Sequence, residues 1–192
     1  VNHLTANFPQ YDYVVVNDGS RDETAAICQR NGYNLLNLPV NLGLAGAFQA
    51  GLKYADKYGY QYAVQLDGDG QHRPEYLESM IKKMEEGYDI VIGSRFVGEK
   101  KPFTMRMLGS NLIEMAMFSK RMIREFASGL NYGPEPDTVS YLIRQGARVA
   151  EVPVIMDERI LGVSYLTPVN AMRYMLKMLI SILLIQNFRK RR

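Results

Sequence analysis

Asp67-Gly68-Asp69 sets two carboxylates two residues apart, directly behind the apolar run Tyr62 to Leu66. Where a strand gives way to a turn, both can face one ligand. Such a pair of hard oxygen donors suits a divalent cation that also takes phosphate oxygens. Gln71 and His72 follow, so an amide oxygen or an imidazole could complete the shell. Taken alone, two acids in a glycine-rich turn are more often a solvated loop. The frame shifts that balance: an apolar strand stands in front, and Gln71-His72-Arg73-Pro74-Glu75 follows, with Pro74 suited to the first turn of a helix.

A second acid ends another apolar run, in Val16-Asn17-Asp18-Gly19-Ser20-Arg21-Asp22-Glu23-Thr24. Gly19 permits a turn there, and Ser20 or Asp22 can cap the following helix. Capping accounts for those residues and leaves Asp18 without a structural duty. Asn41-Leu42-Gly43-Leu44-Ala45-Gly46-Ala47 opens a helix with small residues, through which backbone could approach a ligand, or which simply pack tightly on a sheet. Arg95 closes Gly93-Ser94-Arg95 at a third strand exit, and Arg106 lies in a basic segment with Lys100 and Lys101.

The elements that must position these residues follow from the hydrophobic pattern. Strands are expected at Tyr13 to Val16, Tyr33 to Leu38, Tyr62 to Leu66 and Asp89 to Ile92, with helices at Glu23 to Arg30, Leu44 to Lys57 and Pro74 to Glu86. That alternation implies a mostly parallel sheet flanked by helices. Val14 to Val16 and Ala63 to Leu66, mainly apolar rather than alternating, read as strands buried on both faces. In such sheets the ligand crevice lies beyond the carboxyl ends of the strands, where Asp18, Asp67, Asp69 and Arg95 all fall. Farther on, helices are expected near Asn111 to Ala116, Arg121 to Gly129 and Thr138 to Gln145, and a late strand at Arg148 to Ile155.

With 192 residues, 47% of them hydrophobic, the chain can bury one substantial core, so residues 1–167 are read as one domain and 168–192 as an apolar, basic-ended helix. A net charge of +3 argues against nucleic acid as the partner. A lone cysteine, Cys28, points to no oxidising compartment, and no leader segment opens the chain, so a cytoplasmic setting is the default.

Val16-Asn17-Asp18-Gly19-Ser20-x-Asp22-x-Thr24, Asn41-x-Gly43, Asp67-Gly68-Asp69-x-Gln71-His72-Arg73-Pro74 and Gly93-Ser94-Arg95-Phe96 occur in the order seen in family 2 glycosyltransferases, over most of Tyr11 to Tyr165. The chain looks most like the branch of dolichol-phosphate mannose synthases and bacterial polyprenyl-phosphate sugar transferases. That resemblance implies the Rossmann-like GT-A fold and an inverting transfer, in which an acceptor oxygen attacks the anomeric carbon of a UDP-, GDP- or dTDP-sugar. It further implies that Asp18 and Asn41 serve the donor, Asp18 on the nucleoside. Asp67 would help hold nucleotide and metal, and Asp69 with Gln71 would ligate Mg²⁺ or Mn²⁺. Arg95 and Arg106 resemble the family's basic residues near the phosphates. Glu151-Val152-Pro153 and Arg159-x-x-Gly162-x-Ser164 resemble a late motif of the branch, giving Arg159 and Ser164 as further substrate contacts. Tyr165 stands where many such synthases carry a phosphate-binding lysine.

The resemblance also implies a first strand ahead of Val1 and an acceptor loop with an Asp-x-x-Ser-Gly-like element near 116/117, before the strand-like Met117-Phe118-Ser119-Lys120. Neither is in this sequence. From Pro168 on, Met172, Met175, Leu176, Met178, Leu179, Ile180 and Ile182 to Ile185 build an amphipathic helix ending in Arg189-Lys190-Arg191-Arg192. Its apolar core falls short of the roughly 20 residues of a spanning helix. It fits an interfacial anchor on anionic lipid at the inner face of the cell membrane, with a lipid-linked or glycan acceptor in surface polysaccharide or glycoconjugate synthesis. The alternative is packing on the domain or self-association into a homo-oligomer. A nucleotidyltransferase and a non-catalytic nucleotide-sugar-binding protein are the competing functions.

Overall fold

Seven short apolar or amphipathic segments become regular elements in the computed structural model, which describes residues 1–94, 115–129, 133, 135–157 and Met172, Arg173, Leu176, Ile180 and Ser181. The chain divides into two compact units, residues 1–63 with 120–133 and residues 64–119 with 134–192.

In the first unit α1 (Asn2–Asn7) precedes β1 (Val15–Asn17), α2 (Thr24–Arg30), β2 (Leu35–Asn37) and α3 (Gly43–Lys57), and α5 (Lys120–Ser128) returns later. β1 and β2 are parallel with Asn17 opposite Asn37. Asn17 is buried and donates through Nδ2 to Asn37 Oδ1 at 2.7 Å, a polar pin that fixes this register. α3 packs on β1 closely enough that a Cβ at Gly51 would touch Val16. On α5, Met122, Ile123 and Phe126 are buried, and Phe126 meets Phe48 of α3 edge to face with centroids 5.1 Å apart. The buried Gln49 amide donates to the carbonyls of Phe126 and Gly129, taking up acceptors that the end of α5 leaves open.

The second unit holds α4 (Leu77–Glu85), β4 (Ile90–Ser94), β5 (Met115–Ser119), α6 (Pro136–Arg144) and β6 (Val149–Pro153). With β3 (Tyr62–Gln65), within which the two units divide, these strands run in the order β3-β5-β4-β6. β4 is parallel to β6 and antiparallel to β5. Gly93 occupies the crowded point of that sheet: a Cβ there would lie 3.1 Å from Val154 and 3.3 Å from Met115. Met80 and Met84 of α4, Ile90, Val91, Met115 and Phe118 make up much of the core.

The mostly parallel arrangement is present, β1 with β2 and β4 with β6, with β5 antiparallel to β4. Two expectations are corrected. The helix expected to reach Ala116 instead gives way to strand by Met115, whose backbone pairs with Gly93; residues 111–114 lie outside those described. Val15 and Val16 are half-buried, as are the residues of β3, and the strands closed on both faces are β4 and β5. Among the described residues β1 has one hydrogen-bonded neighbour, β2, whereas β4 lies between two.

Asp89 knots this sheet together. Its carboxylate accepts from Arg148 N at 3.0 Å and Ser119 Oγ at 3.2 Å, and its own backbone N–H donates to Arg148 O at 2.8 Å. Arg148 lies over the Tyr88 ring, 4.7 Å from its centroid. Asp89→Ala is expected to lower stability by about 2 kcal/mol, since it strands a backbone N–H and a hydroxyl. The check is a lower urea midpoint at unchanged slope.

Candidate functional site

In the first unit the chain turns at Asp18-Gly19 as it leaves β1. Gly19 has φ +63°, and a Cβ on it would sit 2.6 Å from Asn41 N and 2.7 Å from Val40 C, so this turn lies directly on the backbone that starts α3. Asp18 Oδ1 accepts from Leu42 N at 2.7 Å, and Asn41 Nδ2 donates to Asp18 O at 3.0 Å. Asn41 Oδ1 accepts from Gly43 N at 3.1 Å. Asp18 thus has a structural duty that its sequence context hides: one carboxylate oxygen satisfies an open N–H at the start of α3. Around the next helix, Asp22 Oδ1 accepts from Thr24 N at 3.0 Å, and the Thr24 hydroxyl, with this backbone bond second, holds its carboxyl below the ordinary range. Ser20 contributes its backbone N–H to Asn17 Oδ1 at 3.3 Å.

In the second unit the turn after β3 carries an exposed Asp67 and a half-buried Asp69. Asp67 Oδ1 accepts from Gln65 Nε2 at 3.1 Å, and Asp69 Oδ1 accepts from Gln71 N at 3.1 Å. His72 Nδ1 accepts from Asp67 N at 2.8 Å, so this imidazole nitrogen orients the backbone of the first acid. Gln71 Nε2 donates to Asp157 O at 3.2 Å, which settles which arm of its amide is nitrogen. The Arg73 guanidinium forms a two-pronged pair with the Asp157 carboxylate, Nε to Oδ2 at 2.7 Å and Nη2 to Oδ1. That bond holds the Asp157 carboxyl below its usual range and raises the guanidinium above its own. Pro74 starts a 3-10 turn, Pro74–Tyr76, that leads into α4.

The structure therefore brings Asp67, Asp69 and Gln71 onto one turn, and Asp18 and Asn41 onto another. Arg95, Arg106, Arg159 and Ser164 lie outside the described residues. Gln65, Asp157 and Tyr76, whose hydroxyl accepts from Ile155 N at 3.0 Å, are supporting residues that sequence reasoning missed. Gln65 Oε1 is buried without a hydrogen-bond partner beside Asp67, an orphaned acceptor at the rim of the turn.

Among the described residues no three His, Cys, Asp or Glu side chains gather into a closed metal cage. Asp67, Asp69 and Gln71 share one turn without such a cage, and a hard cation that keeps positions for water or phosphate takes few protein ligands.

Residues 1–136 match the family model described as glycosyl transferase family 2. A polyprenol monophosphomannose synthase of Mycolicibacterium smegmatis is 28% identical over 199 residues, covering 88% of this chain and 75% of that protein. An undecaprenyl-phosphate mannosyltransferase of Micrococcus luteus is 29% identical over 185 residues, 81% of this chain and 76% of the relative. Among solved structures, the mannosyltransferase PcManGT from Pyrobaculum calidifontis, solved with GDP-Man and Mn²⁺, superposes with a TM-score of 0.65 at 16% identity, over 99% of this chain and 61% of that one. That likeness establishes a shared fold. Because the family model spans more than half of the chain and includes both turns, this chain belongs to glycosyl transferase family 2.

Proposed function

We propose that this glycosyltransferase moves a sugar, with inversion, from a nucleotide-diphosphate sugar to polyprenyl phosphate or a lipid-linked glycan. The carrying observation is the match across three quarters of a polyprenol monophosphomannose synthase, together with a turn after β3 that carries Asp67, Asp69 and Gln71. Mannose, named in both relatives, makes GDP-mannose the first donor to try, ahead of UDP- and dTDP-sugars.

Asp67, Asp69 and Gln71 are the residues that would hold Mg²⁺ or Mn²⁺ on the diphosphate. When bound, the cation supplies positive charge to a leaving nucleoside diphosphate. Asp67 is aimed by Gln65 and by the His72 bond to its amide, so its carboxylate is presented at a fixed angle. Asp18 and Asn41 would meet the nucleoside, with the carboxylate braced by Leu42 N. Arg95 and Arg106 would neutralise phosphate, and Arg159 with Ser164 would contact substrate, as the family resemblance implies.

The aligned stretch of the polyprenol synthase, at 199 residues, is longer than this 192-residue chain and requires gaps on it. The decisive test is calorimetry of UDP, GDP and dTDP with and without Mn²⁺, followed by transfer from the matching sugar nucleotide to undecaprenyl phosphate. Metal-dependent binding of one nucleotide is the expected result; folded protein that binds none would make the non-catalytic reading the better one.

We further propose a peripheral site of action at the cytoplasmic face of the cell membrane. Among the described residues no helix is long and apolar enough to cross a membrane. Met172, Leu176 and Ile180, spaced by four in sequence, are each helical and exposed, while Ser181 is buried and donates to Asp137 Oδ2 at 2.6 Å. Self-association through these residues is the competing use. Flotation with phosphatidylglycerol vesicles should recover the wild type, and Met172→Glu with Leu176→Glu should cut partitioning by about tenfold. Equal flotation of the two proteins would remove these residues from membrane contact.

A further inference from the structure

The turn from Asp67 to Arg73 has no strand ladder of its own, yet one residue beyond β6 is committed to it on every side. Asp157 donates its backbone N–H to Gln71 O at 3.1 Å and accepts from Gln71 Nε2 on its carbonyl at 3.2 Å. Its carboxylate takes both prongs of Arg73. Two residues earlier, Ile155 N donates to Tyr76 OH at 3.0 Å, so the clasp continues onto the 3-10 turn that follows. β6 itself is held in parallel register with β4, Ser94 opposite Pro153, and Val154 N donates to Ser94 O at 3.2 Å. The clasp therefore ties a mobile type of element, a glycine-containing turn, to the rigid end of a paired strand.

We propose that Asp157 and Arg73 are positioning residues for cation binding by Asp67, Asp69 and Gln71, acting through the backbone and amide of Gln71. The inference rests on the donor-site reading above and goes beyond it by assigning the cation site's geometry to a residue 86 positions away from Gln71 in sequence. The chemistry of the pair is specific. A planar guanidinium meets both carboxylate oxygens at once, which an ammonium cannot do. Each side chain is about two fifths exposed, so its value lies in orientation rather than in stability.

Asp157→Asn and Arg73→Lys are the informative variants, since both keep the backbone bonds to Gln71 and the first keeps the side-chain shape. Two readouts are needed. Hydrogen exchange on metal-free protein reports whether peptides covering 66–73 are held. Free Mn²⁺ followed by electron paramagnetic resonance, with GDP or UDP present, reports cation affinity. Both variants should show faster exchange confined to 66–73, a melting temperature close to wild type, and Mn²⁺ affinity lower by about tenfold or more. Wild-type Mn²⁺ affinity in both variants would overturn the proposal. Wild-type protein that binds no Mn²⁺ with either nucleotide would overturn the donor-site reading and the cation role with it; faster exchange in the variants would still mark that outcome off from a failure of the clasp itself.

Discussion

Asp69→Ala is expected to abolish Mn²⁺-dependent nucleotide binding and to lower sugar transfer by about a thousandfold, the scale of removing a principal electrostatic contact to developing charge. Two losses combine in this variant. The carboxylate proposed as a cation ligand disappears, and the acceptor for Gln71 N disappears with it, which loosens the turn. Asp69→Asn separates them, because it keeps an oxygen for Gln71 N and removes only the charge. If the cation is the main factor, Asn should resemble Ala in calorimetry; if the turn is, Asn should resemble the wild type. Full nucleotide binding by both variants would dismiss Asp69 as a ligand.

Gly19→Ala should be a strongly damaging single-methyl change, costing about 2–5 kcal/mol from left-handed backbone strain and from overpacking together. The atoms in its way are backbone atoms, Val40 C and Asn41 N, so no side chain can rotate aside. Relief would require the Asp18 turn to pull away from the start of α3, breaking the 2.7 Å bond to Leu42 N. Gly32 is the internal control. It has nearly the same φ, +65°, and nothing within 4 Å of an added Cβ. Gly32→Ala should therefore show the conformational cost alone, about 1–2 kcal/mol. Equal urea midpoints for the two variants would show that the close approach at Gly19 has no weight.

The sequence carries the order of elements and the two acidic turns because both depend on local signals: apolar runs, turn glycines, Pro74 at a helix start. Asp67, Asp69 and Gln71 do share one turn, as their spacing implies. What is not legible locally is long-range pairing. Nothing around Asp157 marks it as the partner of Arg73, and Asp18 looks free of structural work because the N–H it satisfies belongs to Leu42, 24 residues on. Met115 and Ala116 read as the end of a helix, since methionine and alanine favour helices, yet pairing with β4 overrides that preference. Val14 to Val16 read as a doubly buried strand because composition does not reveal how many neighbours a strand will have.

The sulfur-rich packing of the second unit has a chemical consequence. Met80, Met84, Met115 and Met117 are nearly inaccessible and sit among aliphatic and aromatic neighbours. Thioether side chains are pliable, so this core can absorb changes in neighbouring loops without one fixed fit. The same atoms are vulnerable to peroxide once exposed, and a sulfoxide cannot return to an apolar interior without cost. Oxidation of these four methionines is thereby coupled to opening of the core: an excursion that bares Met80 lets a sulfoxide form, and that sulfoxide opposes reclosing.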